Sequence, residues 1–468
     1  MIPAGRVVTE PESSQGTAQR GRKRNPRILF RPAVLILALL PLFILVLNVA
    51  EYHVDVPFWD QWNFIPLLGQ SYEQGLTLAD LYGQHNEHRL LFPRLIMLGL
   101  ARASRYNIVW ELVVIILLAS AIFALLRHQF FKTAGALGYS GFPWPVPVIS
   151  LLVFTLGQAE NWLWGWQIQI FLNVLAVVAG IVILGSRPFR WGKYWYALGC
   201  GILATYSFAN GLLFWPLGFL GLILIPFENG RQRKQALALW TAATVGVAVS
   251  YLYQFRYESP SGTPWTQFLE HPGEYLKYLF IYLGRPVINY QEYALAIGVI
   301  GLLLFGFLSL YLFLKKRGAL PAFLPFFLFG LYSIGCGLLT GIGRVGFGSH
   351  QAMDGRYVPF SSLIWVADFA FLFILSQQIR TRARTRPGRI LGLAGLAILV
   401  SLFAFWIGRT SYRVGYRVFK SYHSRMLPAR QELLRGEDEE LLLRLYNDAA
   451  YVRRGIEVLK KHKLAVFR

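Results

Sequence analysis

The polar residues that could do chemistry lie in a few short motifs between long apolar stretches. In the first motif, VPFWDQW at 56–62, Asp60 stands among aromatic residues that could partly desolvate its carboxylate. Such a carboxylate suits general-base work on a hydroxyl group. The alternative is an aromatic belt at the membrane interface beside a solvated acid. Because an idle charge near a bilayer is costly, we predict that Asp60 is catalytic.

The most unusual motif is the hexamer QHNEHR at 84–89. In a helix, His85 and His88 would share a face, and with Glu87 they could hold a divalent metal ion. A polar loop with hydrogen-bonding histidines is the plainer interpretation, and the full spacing of zinc motifs is absent. We therefore predict no cofactor. Glu87 is predicted to be a second catalytic acid, and the residues predicted to contact substrate are His85, His88 and Arg89.

A third motif, ENWLWGWQ at 160–167, combines three tryptophans with acid and amide groups, and a later turn contains Asn210. Tryptophan faces stack on sugar rings, and acid or amide groups can bond the sugar hydroxyls. An aromatic belt at the interface explains the tryptophans equally well. The residues predicted to bind substrate in this region are Glu160, Trp164, Gln167 and Asn210.

Two arginines in a glycine-rich stretch, Arg344 and Arg356, could bind phosphate. A guanidinium group forms bidentate hydrogen bonds with phosphate, and nearby glycines would let the backbone approach a ligand. The alternative is an arginine that only snorkels to the membrane interface. The predicted site for a lipid phosphate consists of Arg344, His350, Arg356 and Tyr357.

Composition indicates which elements must position these motifs. Of the 468 residues, 55% are hydrophobic and 15% are charged, compared with about 25% charged in soluble proteins. The deficit and the many long apolar runs predict a polytopic membrane protein. The net charge of +22 falls mainly in the tails and in alternate short connections, as topology signals do, and no nucleic-acid-binding module is visible. Cys200 and Cys336 lie within apolar runs, which argues against a disulfide framework or a zinc site.

The pattern predicts an all-α polytopic membrane protein with about eleven transmembrane helices. Residues 1–32 form a disordered basic cytoplasmic tail, 33–408 form the membrane domain, and 409–468 form a helical extracytoplasmic tail. Within the membrane domain, 51–105 is the first outer loop and carries interfacial helices, and a further surface helix is predicted at 275–283. The predicted location is the plasma (inner) membrane, with the polar motifs at its outer face.

This arrangement resembles the GT-C superfamily of integral-membrane glycosyltransferases. Asp60 matches the acid that these enzymes carry soon after the first span, and Arg356-Tyr357 matches a motif at the start of a late span. The resemblance covers about residues 33–408, although Asp60 lacks an adjacent acidic partner. It implies a polyprenyl-phosphate sugar as donor, a glycan, lipid or protein as acceptor, and inverting transfer of a hexose or pentose. By this resemblance Asp60 would deprotonate the acceptor, Arg344 and Arg356 would hold the leaving phosphate, and no metal would be required.

Other functions share part of this pattern. A transporter or flippase of lipid-linked glycans would need polar groups at the membrane midplane, broken helices and internal repeats, whereas the polar groups here are predicted at one face. A polymerase or ligase of such glycans would use the same substrate chemistry. A non-catalytic assembly subunit would tolerate the loss of Asp60.

Overall fold

The structure is a computed structural model, and it describes residues 32–139, 142–186, 188–257, 267–382 and 385–468. The predicted basic tail 1–32 lies outside the described residues, apart from Pro32, where the first helix begins. The α-helices are α1 (Pro32–Tyr52), α2 (Gln61–Glu73), α3 (Leu78–Tyr82), α4 (Leu91–Ser104), α5 (Ile108–Ala136), α6 (Pro145–Val153), α7 (Ala159–Leu163), α8 (Ile168–Leu184), α9 (Trp191–Thr205), α10 (Phe214–Leu224), α11 (Gly230–Leu252), α12 (Gln267–Glu270), α13 (Pro272–Gly284), α14 (Gln291–Lys315), α15 (Leu320–Arg344), α16 (Val358–Arg382), α17 (Arg386–Arg409), α18 (Tyr416–Glu432), α19 (Glu439–Leu443) and α20 (Ala449–Lys461). An antiparallel hairpin follows α3 and consists of β1 (Gln84–His85) and β2 (His88–Arg89).

Long apolar helices make this an all-α polytopic membrane protein. Within the described residues, nine helical segments are long and apolar enough to span a bilayer. They are Pro32–Tyr52, Ile108–Ala136, Pro145–Leu163, Gly165–Leu184, Gly230–Leu252, Gln291–Lys315, Arg317–Phe347, Gly355–Thr381 and Pro387–Glu432. The other two predicted spans correspond to α9 and to the shorter apolar segment Ala209–Leu224. Helix α9 has 15 residues, and a helix of that length is about 23 Å long, short of a hydrocarbon core of about 30 Å.

Helix α9 ends inside the bundle, where a polar side chain donates hydrogen bonds to carbonyls at and just after its end. The Nδ2 amide of Asn173, in α8, donates to the backbone oxygens of Ala204 (2.9 Å) and Phe208 (3.2 Å). The hydroxyl of Tyr332, in α15, donates to Oδ1 of the same Asn173 (2.6 Å). Backbone polar groups at membrane depth need internal partners of this kind. The chain can therefore turn back through Ala209–Leu213 into α10.

The bundle has a buried centre and a lipid-facing periphery. Helices α8 and α16 are buried along most of their length. Helices α5, α9 and α15 pack around α8, and α14 and α15 pack against α16. Most of the surface of α1, α11 and α17 is exposed, as expected of apolar helices that contact lipid.

One helix that was predicted at the surface lies partly in the interior. Helix α13, which covers the predicted surface helix at 275–283, packs against α14, α15 and α16. Its close contact with α14 requires glycine, because a Cβ on Gly284 would lie 1.9 Å from the backbone oxygen of Ala294. Leu276 and Lys277 in its first half are exposed, as predicted, but Tyr278 and Tyr282 in its second half are fully buried. Tyrosines mark buried aromatic cores as well as interfaces.

The first loop, 51–105, and the C-terminal tail fold against each other. Helices α2 and α20 are in contact, with Gly455 of α20 against the ring of Trp62 in α2. The N–H of Trp59 donates to the backbone oxygen of Leu445 (2.8 Å). The tail, with its helices α18, α19 and α20, therefore lies on the same side of the molecule as the first loop.

Candidate active site

One cavity brings together most of the residues that the sequence singled out. It has a volume of about 680 Å³ and is lined by the first loop, the hairpin and the ends of several helices. Eleven of the thirteen predicted site residues line it: Asp60, His85, Glu87, His88, Glu160, Trp164, Gln167, Asn210, Arg344, Arg356 and Tyr357. These residues are far apart in the sequence, so the fold assembles the site.

The two remaining residues lie elsewhere. Arg89 is buried and donates hydrogen bonds to the backbone oxygens of Tyr251 (2.7 Å) and Tyr253. These bonds anchor the hairpin to the end of α11, and Arg89 is not among the residues that line the cavity. His350 is exposed and is not part of the cavity wall, so the structure does not place it at the predicted phosphate site.

The backbone around Asp60 is fixed by a buried pair of polar side chains. The Gln61 side chain accepts a hydrogen bond from the N–H of Phe58 (3.1 Å) and donates one to Oε2 of Glu111 in α5 (2.6 Å). Gly165 leaves room for this pair, because a Cβ there would lie 1.9 Å from Oε2 of Glu111. Glu111 was not predicted as a site residue, although an acid inside an apolar span is a signal of function.

Asp60 follows a residue with a strained backbone. Trp59 has a φ of 47°, in the left-handed region that costs an L-residue about 1–2 kcal/mol. Its N–H is bound by the backbone oxygen of Leu445, which holds the turn in this conformation. Strain of this kind persists only where the surroundings impose it, and it is frequent at functional sites.

Asp60 lines the cavity, and its carboxylate has few partners. The side chain is 29% exposed, and its Oδ2 lies 3.7 Å from Nε2 of His85. No other described residue forms an ion pair or a side-chain hydrogen bond with this carboxylate. The ring of His85 packs edge-on against Trp166, with centroids 5.1 Å apart. An acid with open oxygens beside a histidine has the geometry that a general base needs.

The hexamer QHNEHR forms a hairpin and not a helix. Gln84 pairs with Arg89, and His85 pairs with His88, across the two strands. Asn86 makes the turn with a φ of 49°, a left-handed conformation that asparagine tolerates better than most residues. In the part of the chain that the structure describes, no group of three or more His, Cys, Asp and Glu side chains could hold a metal ion.

His88 is neutral at pH 7. Its buried ring stacks on Phe208, with centroids 3.9 Å apart. Nδ1 accepts a hydrogen bond from the N–H of Ala209 (3.3 Å), which places the ring proton on Nε2, 3.6 Å from Oε1 of Glu87. Burial lowers the pKa of His88 to about 4. The ring can therefore donate a hydrogen bond into the cavity without carrying a charge.

Glu87 and Arg344 form an ion pair in the cavity wall, with Nη2 of Arg344 2.6 Å from Oε1 of Glu87. Burial alone would raise the pKa of Glu87, but its interactions with His88 and Arg344 outweigh burial and hold that pKa below its usual value. Since His88 is neutral at pH 7, the guanidinium group of Arg344 is the partner that keeps Glu87 ionised. Arg344 therefore holds the Glu87 carboxylate, whereas Asp60 has no arginine or lysine partner among the described residues.

A second acid–arginine pair lies just before α16. Arg356 donates from Nε to Oδ2 of Asp354 (2.7 Å). The buried Arg285 joins this loop to the one before α7, because it donates to the backbone oxygens of Met353 (2.6 Å) and Gly157 (2.7 Å). Burial lowers the pKa of Arg285 to about 10, and the side chain stays charged at pH 7. Asp354 and Arg285 were not predicted, although they lie at helix ends on the same side as the cavity, like the predicted residues.

The rest of the polar wall combines aromatic, acidic and basic side chains. Trp164 lines the cavity beside Glu160, and its indole N–H is buried without a hydrogen-bond partner among the described residues. Arg425, from α18, also lines the cavity and was not predicted, because it lies in a tail with many basic residues. Its helix is fixed by Tyr422, whose hydroxyl donates to the backbone oxygen of Leu163 (3.1 Å).

The cavity also has an apolar side, which we term the lipid-side opening. Leu252, at the end of α11, and Leu339, in α15, both line the cavity, yet they are 60% and 39% exposed. Both belong to helical segments that can span a membrane. At these two residues the cavity wall therefore reaches the exposed apolar surface of helices that can span a membrane.

Comparison with other proteins does not identify the chemistry of this cavity. Searches of protein-family profiles, of curated proteins and of solved structures find no match for the chain. Its function has to be inferred from the residues that line the cavity.

Proposed function

We propose that this protein is a membrane glycosyltransferase that moves a sugar from a polyprenyl-phosphate donor to a glycan, lipid or protein acceptor. One observation carries the proposal: a cavity joins the acid Asp60 and the arginines Arg344 and Arg356 to the lipid-side opening. A polyprenyl-phosphate sugar needs all of these features, because one molecule contains an isoprenoid chain, a phosphate and an anomeric carbon. The resemblance to the GT-C superfamily agrees with this activity.

In the proposed reaction, an acceptor hydroxyl group lies against the carboxylate of Asp60. Asp60 takes the proton while the acceptor oxygen attacks the anomeric carbon. The bond from the anomeric carbon to the phosphate oxygen breaks, and its electron pair leaves with the lipid phosphate. Arg344 and Arg356 stabilise the charge that develops on this phosphate. Attack opposite the leaving group inverts the anomeric configuration.

To bind a phosphate, each of the two arginines must divide its hydrogen-bond donors between its acidic partner and the phosphate. Arg344 uses Nη2 for Glu87, and Arg356 uses Nε and Nη2 for Asp354. Each guanidinium group has five N–H donors, so each retains donors for a phosphate. The acids orient the guanidinium groups, which lowers the entropy that binding would otherwise cost.

The polar wall offers contacts for the sugars. Trp164 and Trp166 provide aromatic surface for a sugar ring, and Gln167 and Asn210 provide amide groups for its hydroxyls. His88 adds a neutral donor at Nε2. These residues would hold the donor and acceptor sugars in the orientation that the transfer needs.

We place the cavity at the extracytoplasmic face of the plasma (inner) membrane. Arginine and lysine residues cluster at the helix ends away from the cavity, as at Arg231–Lys234 and Lys315–Arg317, and the positive-inside rule assigns such ends to the cytoplasm. The N-terminus is then cytoplasmic, the C-terminal tail is extracytoplasmic, and α9 and α10 complete eleven crossings. In intact cells an impermeant maleimide should label Gln74→Cys and spare Lys315→Cys. The reverse pattern would overturn this orientation.

The proposal is tested by transfer in proteoliposomes. Wild type and Asp60→Asn are offered a mixture of polyprenyl-phosphate sugars and extracted cell-envelope glycans. We expect Asp60→Asn to lose about 100-fold or more of the transfer rate, because an amide cannot take the proton. Glu51→Gln removes an exposed acid at the edge of the same loop, outside the cavity, and should transfer like wild type. Melting temperatures show whether each variant is folded.

Other outcomes would decide against parts of the proposal. Equal transfer by wild type and Asp60→Asn would remove Asp60 from the mechanism and make Glu87→Gln the next variant to examine. If no sugar is transferred but a fluorescent lipid-linked glycan crosses the bilayer, the protein is a flippase. If lipid-linked repeat units are joined to one another instead, it is a polymerase.

A further inference from the structure

The cavity has a second opening, on the side that the C-terminal tail covers. Trp59 and Arg425 both line the cavity and are both exposed, Trp59 by 43%. The tail determines the position of both residues, since Arg425 belongs to α18 and the N–H of Trp59 is bound by Leu445. We term this place the tail-side opening. Its residues are polar and aromatic, in contrast to the leucines of the lipid-side opening.

Among the described residues, three arginines line the cavity, and Arg425 differs from the other two. Arg344 is paired with Glu87, and Arg356 is paired with Asp354. Among the described residues Arg425 forms no hydrogen bond and no ion pair within 4 Å, although its charge acts on the carboxylate of Glu160 in the same cavity wall. An arginine in a cavity wall with all its donors unused is a binding group for an anion.

The position of Arg425 is well defined because its helix is held against the cavity. Tyr422, one turn before it and on the same face of α18, donates its hydroxyl to the backbone oxygen of Leu163 (3.1 Å). The ring of Tyr422 also packs edge-on against Phe58, with centroids 5.7 Å apart. Met426, the next residue after Arg425, is fully buried. The guanidinium group therefore projects from a fixed helix.

Trp59 presents aromatic surface at the same opening. Its ring touches Phe58 and Tyr446 edge-on, with centroids 6.2 Å and 6.4 Å apart, and part of the ring remains open. An exposed tryptophan on a strained turn is a costly feature that the tail maintains. The face of an indole ring suits the C–H face of a sugar. Asp60, the proposed base, is the adjacent residue.

The charge of the tail indicates the kind of sugar. Between 409 and 431 the chain contains six basic residues and no acid. The six are Arg409, Arg413, Arg417, Lys420, Arg425 and Arg430. A surface of one sign raises the local concentration of ligands of the opposite sign. An acidic ligand would thus be drawn to the side of the molecule where Arg425 lines the cavity.

We infer that the acceptor is an acidic carbohydrate, whose ring lies on Trp59 and whose carboxylate or phosphate is bound by Arg425. The inference rests on the proposed glycosyltransferase function, and it assigns Arg344 and Arg356 to the donor and Arg425 to the acceptor. The anionic group of the acceptor fixes its orientation, so that a hydroxyl group of the same molecule reaches Asp60. The enzyme would then prefer charged acceptors over neutral ones with the same ring.

The test compares matched pairs of charged and neutral ligands by calorimetry, with the full chain in detergent. The carboxylate pair is trigalacturonate and its methyl ester, and the phosphate pair is maltotriose 6-phosphate and maltotriose. We expect at least one acid to bind about tenfold more tightly than its neutral partner, the effect of one charge-assisted hydrogen bond. Arg425→Gln should abolish that preference, and Arg425→Lys should retain part of it. Arg417→Gln removes an exposed charge of the same helix outside the cavity and should keep the preference for the acid over its neutral partner, even if the acid binds slightly more weakly.

Several results would overturn the inference. Equal binding of acid and neutral partner in both pairs would do so, and so would an unchanged preference in Arg425→Gln. If Arg425→Gln and Arg417→Gln instead weaken binding to vesicles of anionic lipid by similar factors, the tail is a membrane-contacting surface. The proposed function can be refuted independently of this inference. If acidic carbohydrates bind through Arg425 but no sugar is transferred, the protein is not a glycosyltransferase, while the inferred class of ligand is still supported. Transfer to neutral and acidic acceptors alike, unaffected by Arg425→Gln, would refute only the inference.

Discussion

His88 shows how burial sets the chemistry of a single residue in this cavity. Its pKa of about 4 in the folded protein lies below the ordinary value of 6.5. Between these values the unfolded chain binds a proton that the folded protein excludes. The free energy of unfolding should therefore fall as the pH drops from about 7 towards 4, by up to roughly 3 kcal/mol from this residue. Above about pH 7 both states are neutral at His88, and the dependence vanishes.

His88→Gln should remove part of this loss of stability at acidic pH, because its amide oxygen can still accept the hydrogen bond from Ala209 and it does not titrate. Thermal unfolding of purified protein at about pH 7 and about pH 5 measures the effect. The control is His271→Gln, at an exposed position outside the cavity. Between about pH 7 and about pH 5 it should lose as much stability as wild type. A loss in His88→Gln as large as that of wild type would mean that His88 is not the neutral group described here.

Gly165 tests whether the buried pair beneath Asp60 positions the proposed base. A Cβ there would lie 1.9 Å from Oε2 of Glu111 and 2.9 Å from Nε2 of Gln61. We expect Gly165→Ala to lower the free energy of unfolding by about 1–3 kcal/mol, the usual effect of overpacking. It should also slow transfer, because the turn that carries Asp60 would shift.

The matched control for Gly165 is Gly199→Ala. Gly199 lies in α9 with open space where its Cβ would be, so alanine there should be neutral or stabilise the helix by about 0.5–1 kcal/mol. If both variants behave alike in unfolding and in transfer, the contact of Gly165 with Gln61 and Glu111 does not position Asp60.

Individual residues could be predicted where a polar group interrupts an apolar pattern. Asp60, Glu87 and Arg344 stand in such places, and the fold brings them to one cavity. Arg89 carries the same signal, but its donors bind backbone oxygens near the end of α11, a contact that only the tertiary structure creates. Arg425 could not be distinguished in the sequence, since basic neighbours surround it in the tail.

At the scale of elements, the contact between α2 and α20 should hold the tail in place. A Cβ on Gly455 would lie 2.9 Å from the ring of Trp62, which is fully buried. We expect Gly455→Leu to separate the two helices, to make the tail sensitive to protease and to reduce transfer, because Leu445 would no longer hold Trp59. Limited proteolysis of the purified protein detects the loosened tail.

Glu457→Leu is the control for this contact. Glu457 lies on the same helix as Gly455 but is exposed. A leucine at this position therefore adds the same side chain to α20 without contacting α2. A tail that resists protease equally in wild type, Glu457→Leu and Gly455→Leu would contradict a role for α2 and α20 in holding it.

The elements were predictable to the extent that length and hydropathy define them. Most predicted spans correspond to long apolar helices. Helix α9 is shorter than a span, and the carbonyls where it ends depend on Asn173, in another helix, which donates hydrogen bonds to Ala204 and Phe208. The hairpin at 84–89 was not predictable from periodicity, because each of its strands has only two residues. Its register depends on contacts with α11, such as the hydrogen bond from the Tyr251 hydroxyl to the backbone oxygen of Glu87 (2.7 Å).

At the scale of the whole molecule, the first loop and the C-terminal tail meet over one cavity. The first loop supplies Asp60 and the hairpin, the C-terminal tail supplies Arg425, and the central helices supply the other arginines. The cavity thus has a tail-side opening between the first loop and the tail and a lipid-side opening between α11 and α15. This arrangement would let a lipid-linked donor and a water-soluble acceptor approach Asp60 from different sides.

The most direct test of this account is a cryo-electron microscopy structure with a long-chain isoprenyl phosphate. We expect density for the phosphate at about 3 Å from the guanidinium groups of Arg344 and Arg356, within hydrogen-bond distance. Density for the isoprenoid chain should leave the cavity between Leu252 and Leu339. A phosphate bound away from both arginines, or a chain that leaves by another route, would contradict a lipid-phosphate donor in this cavity.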